Sequence, residues 1–371
     1  MGVEVRTLRG DEFEQFLRFL ERSYGHSFNF FPRIHPDLYH PSGLDAFLVA
    51  VEDGRIVSHV GTFPMRVVAG RAVIEFGGIG GVATLPDARG RGYMSRLLQE
   101  SLRRMRERGV QASILWGDRR RYRNFGFETC GVGYEVTLTL RSLEGAGVQA
   151  LPVEEADPAS PATVAHVQRF QALRAFRVER PRLDLTLARH GVRVFVCDDG
   201  YLLAQHEARD LDVQEVVSAS GNEAGLVFGA LRHTFGSRAT LMAGPEDDPA
   251  VRRLAAAAHG WRAVPQGMIT VVDWPALAAA LRPVLEERAA PLKPFSVVIG
   301  CRSADGVDWA TLRWAGSSLD VLPGRKGDAE CVLEAGELVA ALFGGPYSKE
   351  RLGPLAALTP VPFHVPRLDH V

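Results

Sequence analysis

The stretch Val82-Ala83-Thr84-Leu85-Pro86-Asp87-Ala88-Arg89-Gly90-Arg91-Gly92-Tyr93-Met94 has residue types and spacing that could do chemistry. An apolar extended run ends in a Gly/Arg turn and leads straight into an amphipathic helix. Free backbone N–H groups and a helix N-terminus therefore converge on one small volume, which is an anion site. Arg89 and Arg91 add positive charge beside it, and Gly90 and Gly92 remove side chains that would hold a pyrophosphate off the backbone. A phosphate-bearing cofactor is its natural occupant. Two nucleotide readings fail on the residues themselves. A Walker loop needs Gly-Lys-Ser or Gly-Lys-Thr, and the chain has neither. Gly78-Ile79-Gly80-Gly81-Val82-Ala83 fits G-x-G-x-x-A, but an extended, proline-stopped segment follows it where a dinucleotide fold opens a helix.

The elements that must position this turn are legible on both sides of it. Residues 45–52, 55–68 and 72–85 are rich in Val, Ile, Phe and Ala and read as strands, with Asp53-Gly54 and Gly70-Arg71 as their hairpin turns. From Met94 to Met105, Leu97, Leu98, Leu102 and Met105 recur at helical spacing, and Ala112–Trp116 reads as a short buried strand. A helix between two such strands implies a right-handed parallel crossover. A helix over Glu12–Tyr24 carries Phe13, Phe16, Leu17 and Leu20 on one face. The fold class is α/β (α+β), with a central, largely antiparallel sheet and one parallel crossover.

With 371 residues, 46% hydrophobic and 23% charged, the chain is globular and long enough for two or three domains. Arg103, Arg104, Arg106, Arg108, Arg119, Arg120, Arg121 and Arg123 form a basic run, yet a net charge of −1 and few interleaved aromatics argue against nucleic acid. No apolar run reaches membrane-spanning length, and the N-terminus lacks a signal peptide's apolar core. Cys130, Cys197, Cys301 and Cys331 show neither metal spacing nor disulfide density, which points to reduced thiols in a cytoplasmic protein without a metal. Residues 143–162, rich in Gly, Pro and Ala, read as a linker. Beyond it, 163–284 again alternates strands and helices, with no second Arg-x-x-Gly-x-Gly turn. From about Pro291, short strands at Phe295, Trp309, Ser318 and Cys331 precede a helix over Glu334–Phe343.

The 82–94 stretch resembles motif A of the GNAT superfamily of acetyl-coenzyme A-dependent N-acetyltransferases. There the pattern is Arg/Gln-x-x-Gly-x-Gly/Ala; here Arg89-Gly90-Arg91-Gly92-Tyr93-Met94 puts Met in the last small position. Gly117 to Glu128 resembles motif B, which ends Tyr-x-x-x-Gly-Phe/Tyr, here Tyr122-Arg123-Asn124-Phe125-Gly126-Phe127. The resemblance implies that N–H groups of Arg89, Gly90, Arg91, Gly92, Tyr93 and Met94 hold the pyrophosphate. It implies that Val82, Ala83 and Thr84 pair with pantetheine as another strand would, and that some of the arginines meet the 3′-phosphate. Tyr122 becomes the acid that reprotonates the leaving thiolate, a step that an acid at hydrogen-bond distance assists.

The order of segments is similar to that of the Eis-type (enhanced intracellular survival) acetyltransferases. It implies a GNAT domain over 1–145, a degenerate GNAT-like domain over 146–285 that walls the substrate cleft, and a sterol carrier protein-like domain over 286–371; a plain α+β cap without lipid is the other reading of the last. In that family the C-terminal carboxylate reaches the active site, which makes the carboxylate of Val371 a candidate base here, with His370 as the alternative. Glu75, at odd spacing from Gly78 along the strand, points to the opposite face. The implied activity is direct acetyl transfer from acetyl-CoA, without metal, to a primary amine such as an aminoglycoside-like polyamine. A protein or peptide lysine and a non-catalytic acyl-CoA or lipid sensor are the alternatives. Family members assemble through symmetric contacts, so a homo-oligomer is implied as well.

Overall fold

The computed structural model describes residues 2–27, 29–207, 210–303, 306–327, 331–345 and 349–371. The chain opens with β1 (Glu4–Thr7), α1 (Phe13–Tyr24), α2 (Phe30–Ile34), β2 (Phe47–Glu52), β3 (Arg55–Ala69) and β4 (Ala72–Thr84). It continues through α3 (Tyr93–Glu107), β5 (Ala112–Leu115), α4 (Arg119–Tyr122) and β6 (Glu128–Cys130). Asp53 and Gly54 both adopt positive φ in the β2–β3 turn, which is what a two-residue hairpin demands. Helix α3 buries Leu97, Leu98 and Met105, while Arg103 and Arg104 on its other face pair with Glu100. Burying each such side chain contributes about 1.5–3 kcal/mol, and this stripe docks the helix on the sheet.

The chain then continues through β7 (Gly133–Thr139), α5 (Leu140–Gly145), β8 (Glu154–Ala156), α6 (Pro161–Gln171), β9 (Phe176–Glu179), α7 (Leu183–Leu187) and β10 (Val192–Cys197). After these come β11 (Gly200–Glu207), β12 (Asp210–Ser218), α8 (Glu223–His233), β13 (Arg238–Met242), α9 (Pro249–Ala256), β14 (Gly260–Val264) and β15 (Gly267–Val271). The first sheet has the order β1-β2-β3-β4-β5-β15-β6, with β9 on one end of β3, and the second β14-β7-β13-β12-β11-β10-β8. In each, one helix (α3 or α8) joins a parallel pair, β4–β5 or β12–β13. The two units therefore share one strand order, and each lends the other a strand: β15 lies between β5 and β6, and β7 between β13 and β14.

The first two sheets accordingly do not divide at 145/146. Strand β7 precedes that boundary and sits in the second sheet, while β9 and β15 follow it and sit in the first. The 143–162 stretch contributes β8, which pairs with β10. A short strand with alternating burial carries no mark of the sheet it will join, because register and partner are set by distant packing.

Helix α10 (Trp274–Ala289) leads to β16 (Phe295–Ser303), β17 (Gly306–Trp314), β18 (Leu319–Pro323), β19 (Cys331–Glu334) and α11 (Ala335–Phe343). These strands form a third sheet in the order β18-β17-β16-β19. Trp274 is fully buried, and its indole N–H donates to the Ile299 carbonyl at 2.9 Å. One apolar core runs from Ile74 and Phe76 on β4 through Leu281 on α10 to Ile299 and Leu312, so the third unit is welded to the first. The chain ends by running back between the first two sheets. Phe363 packs against Phe76 and Phe343, and the Val365 N–H donates to Gln266 Oε1 at 3.3 Å.

Candidate active site

Strand β4 is where the sheet is prised open. It pairs with β3 in register from Ala69↔Ala72 to Ser58↔Thr84, but the register slips between His59↔Ala83 and Gly61↔Gly80. Gly81 and Val82 thus face the single residue Val60, a bulge that bends the strand. Gly81 has φ +60°, and a Cβ there would lie 2.5 Å from the Tyr39 hydroxyl oxygen, so only glycine fits. Its carbonyl accepts from His59 Nδ1 at 2.7 Å. On the other side, β4 pairs with β5 only from Phe76↔Ala112 to Gly78↔Ile114. Past Gly78 the two parallel strands diverge, and β5 continues with β15. The β5-facing edge of residues 79–84 is left for a ligand to pair with, the mode in which an extended group adds to a sheet.

Beyond β4, Gly90 and Gly92 adopt φ +77° and +76°, the left-handed region that favours glycine. A Cβ on either would meet nothing within 4 Å, so it is the backbone conformation, not crowding, that selects glycine. Helix α3 starts at Tyr93 with no side-chain cap on its N-terminus. Its first N–H groups and the turn border a cavity of about 580 Å³. The cavity is lined by Val82, Ala83, Thr84, Arg89, Gly90, Gly92, Tyr93 and Met94, all expected from the sequence. Arg91, expected with them, is drawn off: its guanidinium pairs with Glu52 at 2.7 Å and does not line the cavity. Arg121 lines it instead. The basic run 119–123 signalled such a residue, but which arginine faces inward depends on how the short helix α4 is docked. Arg119 turns away to Glu128, and Arg106 to Asp308.

Tyr24, from α1, is a lining residue that the sequence reading missed. Its hydroxyl donates to the Val82 carbonyl at 2.9 Å, and burial pushes its phenol up to about 12. Tyr122 closes α4, whose start is capped by the Asp118 carboxylate accepting from the Arg120 N–H at 2.8 Å. The Tyr122 ring is 7% exposed and packs against Phe127 and Gly117. Burial raises its phenol, opposed by the charge of Arg121 and by a hydrogen bond with that side chain. Glu75 lies away from this opening, beside Arg66 at 3.3 Å on the outer face.

The chain's last residue arrives at the diverging strands. A Cβ on Gly80 would lie 2.7 Å from the Val371 carboxyl carbon, and one on Gly78 would lie 2.8 Å from Val371 Cγ2. These two glycines are the berth of the terminal residue. Among the described residues no cation is paired with the terminal carboxylate. His370 stacks on Trp116 with ring centroids 3.8 Å apart, and its Nε2 is buried without a partner. Burial pushes its imidazole down to about 4, so the ring is neutral near pH 7 and serves as a wedge beside the carboxylate. Among the described residues no group of three or more His, Cys, Asp or Glu could hold a metal, and no helix is long and apolar enough to cross a membrane.

Residues 4–130 match the family model of an acetyltransferase (GNAT) domain. The first unit is such a domain, with the open strand edge and Gly/Arg turn at its centre. Over its full length the chain is similar to a GCN5-related N-acetyltransferase from Kribbella flavida, with 20% identity, 100% of both chains covered and a TM-score of 0.74. A GCN5-related N-acetyltransferase from Anabaena variabilis gives 17% identity, 100% coverage of both chains and a TM-score of 0.73. Eis1 from Mycobacterium abscessus gives 17% identity, 98% coverage of this chain and 97% of that one, and a TM-score of 0.65. A comparison with curated proteins gave no match. The chain thus carries an acetyltransferase (GNAT) domain over residues 4–130 and shares its overall fold with Eis1.

Proposed function

We propose that this protein transfers an acetyl group from acetyl-CoA directly to a primary amine, with its own C-terminal carboxylate as the base. The observation that carries the reading is the berth of Val371 at Gly78 and Gly80, beside the strand edge that borders the 580 Å³ cavity. The residues of that cavity fit coenzyme A. The turn 89–94 and the uncapped start of α3 offer N–H groups to a pyrophosphate, Arg89 and Arg121 add charge, and the edge of Val82–Thr84, which β5 does not cover, suits the amides of pantetheine. Acetyl-CoA supplies the activated thioester.

The chain's own groups handle the protons. The Val371 carboxylate takes a proton from the acceptor's ammonium, leaving a nucleophilic amine. The Tyr122 hydroxyl gives a proton to the departing sulfur, and Arg121 beside it stabilises the phenolate that remains. A carboxylate without a cationic partner favours a cationic acceptor, and a small polycation of the aminoglycoside-like polyamine kind is the class we assign.

The test is thiol release from acetyl-CoA with aminoglycosides, polyamines and lysine peptides, for the natural chain and Tyr122→Phe. Turnover of a small polycation that falls sharply in the variant is the expected result. Turnover of lysine peptides alone would replace the acceptor class. Acetyl-CoA binding with silence on every amine would overturn catalysis in favour of a sensor.

A further inference from the structure

The tail that delivers Val371 is gripped two residues earlier by a nest of charge inside the second unit. Arg180 is 3% exposed at its side chain and reaches two carboxylates at once. Its Nε and Nη2 donate to Asp369 at 2.7 Å each, and its Nη1 and Nη2 donate to Glu215 on β12 at 2.9 Å each. Glu215 is fully buried and also accepts from the Tyr201 hydroxyl and, at 3.3 Å, from Arg174. Arg189, held by Asp37 on the first unit, donates to the Leu368 carbonyl. The arginines beside it hold the Glu215 carboxyl down at about 2 against its burial, while burial pushes the Asp369 carboxyl up.

This arrangement is expensive as a source of stability. Buried ion pairs lose much of their attraction to desolvation, and apolar residues of similar volume often serve as well or better. What a double fork on one guanidinium does supply is geometry, because each planar pairing fixes an orientation as well as a distance. Only His370 and Val371 follow Asp369, so once Asp369 is fixed the terminal carboxyl stays within about 9 Å of its Cα. His370 stacked on Trp116 takes up the remaining freedom.

We propose that Arg180 is a positioning residue: by bridging Glu215 to Asp369 it sets where the Val371 carboxylate stops beside Gly80. The second unit then acts in the reaction through the tail it holds. This rests on the reading of that carboxylate as the base, and the experiment separates the two.

Four full-length chains are compared: natural, Arg180→Met, a chain extended by one glycine after Val371, and the two changes together. Two readouts are taken, the rate at which carboxypeptidase Y removes the terminal residue and the kinetics with acetyl-CoA and spermidine. Arg180→Met is expected to speed terminal release at least tenfold. It should lower kcat at least tenfold with little change in KM for acetyl-CoA, and Arg180→Lys should recover part of both. The extension is expected to lower kcat alone, and Arg180→Met should cost nothing more in the extended chain, since the carboxylate is already displaced. A folded Arg180→Met chain with a protected tail overturns the positioning role. So do losses that multiply in the double change, which mark a general structural effect. An extension that matters while Arg180→Met retains full kcat removes the positioning role and leaves the base in place. An extension that leaves kcat unchanged removes both. Should Arg180→Met not fold, Asp369→Asn takes its place, and terminal release decides the matter even where spermidine is not turned over.

Discussion

The first and second units have one strand order and opposite fates. Each has a bulge in the strand before its crossover helix: Gly81 and Val82 facing Val60 in β4, and Gln214 slipped between Glu215↔Leu203 and Val213↔Ala204 in β12. In the first unit the turn after the strand is poor in side chains and α3 begins uncapped on an open cavity. In the second, the chain fills the same place with its own groups. The Asp199 carboxylate accepts from the Ser220 N–H at 2.9 Å and from the Ser218 and Ser220 hydroxyls, and Asn222 caps α8 by accepting from the Gly225 N–H at 3.0 Å. Helix α8 is buried from Glu223 to Leu231, so tightly that a Cβ on Gly229 would lie 2.1 Å from the Leu151 carbonyl oxygen. The first unit leaves backbone donors for a ligand; the second spends equivalent donors on itself and uses its bulged strand to seat the tail. An anion site is made as much by withholding side chains as by supplying them.

The largest test of this contrast is Tyr122→Phe. It should lower kcat about 100-fold while acetyl-CoA still binds, because only proton delivery is lost; steady-state kinetics beside calorimetric binding would show it. A full rate in the variant would leave the first unit as a binding site without its acid. The glycine pair comes next. Gly92→Val forces a side chain into left-handed backbone at about 1–2 kcal/mol and should weaken acetyl-CoA binding roughly tenfold. Gly221→Val, also at positive φ and 3.1 Å from Arg253, should lower the melting temperature and leave that affinity alone.

Acid should loosen the β4 bulge and the tail before it reaches Glu215. His59 under the bulge and His370 in the tail are pushed by burial to about 4, so the native state keeps them neutral while the unfolded chain takes up protons below about 6.5. Stability is therefore full above that value and falls toward pH 4, by up to about 1.4 kcal/mol per pH unit for each histidine. Glu215 works the other way. Its carboxyl is held at about 2, so its contribution is intact above about 4.5 and is lost only as pH falls toward 2. Denaturant unfolding across pH 4–7 checks the sign, and His370→Phe should flatten the slope. The smallest effect is Asp199→Asn, about 1 kcal/mol from weakened bonds at the second turn. Coenzyme A should still bind once per chain by calorimetry; a second equivalent would mean that the second unit's turn had been a masked anion site.

The sequence by itself determined what contiguous residues decide. Strand β4, the turn 89–92 and helix α3 came out nearly residue for residue, because glycine conformation, helical spacing and backbone donors act within a dozen positions. The expectation of an anion site at the turn rests on the same local chemistry, and Tyr122 entered as a motif residue. Tertiary structure alone decided the rest. It exchanged β7 and β15 between the sheets, turned Arg91 to Glu52 and Arg121 to the cavity, brought Tyr24 to Val82, and carried Val371 to Gly80. These pairings join residues far apart in the chain, and their selection rests on buried packing and on a charge nest whose members come from both units. No local pattern records which distant partner will satisfy a strand edge or an arginine; the closed structure does, because burial makes every unmet pairing costly.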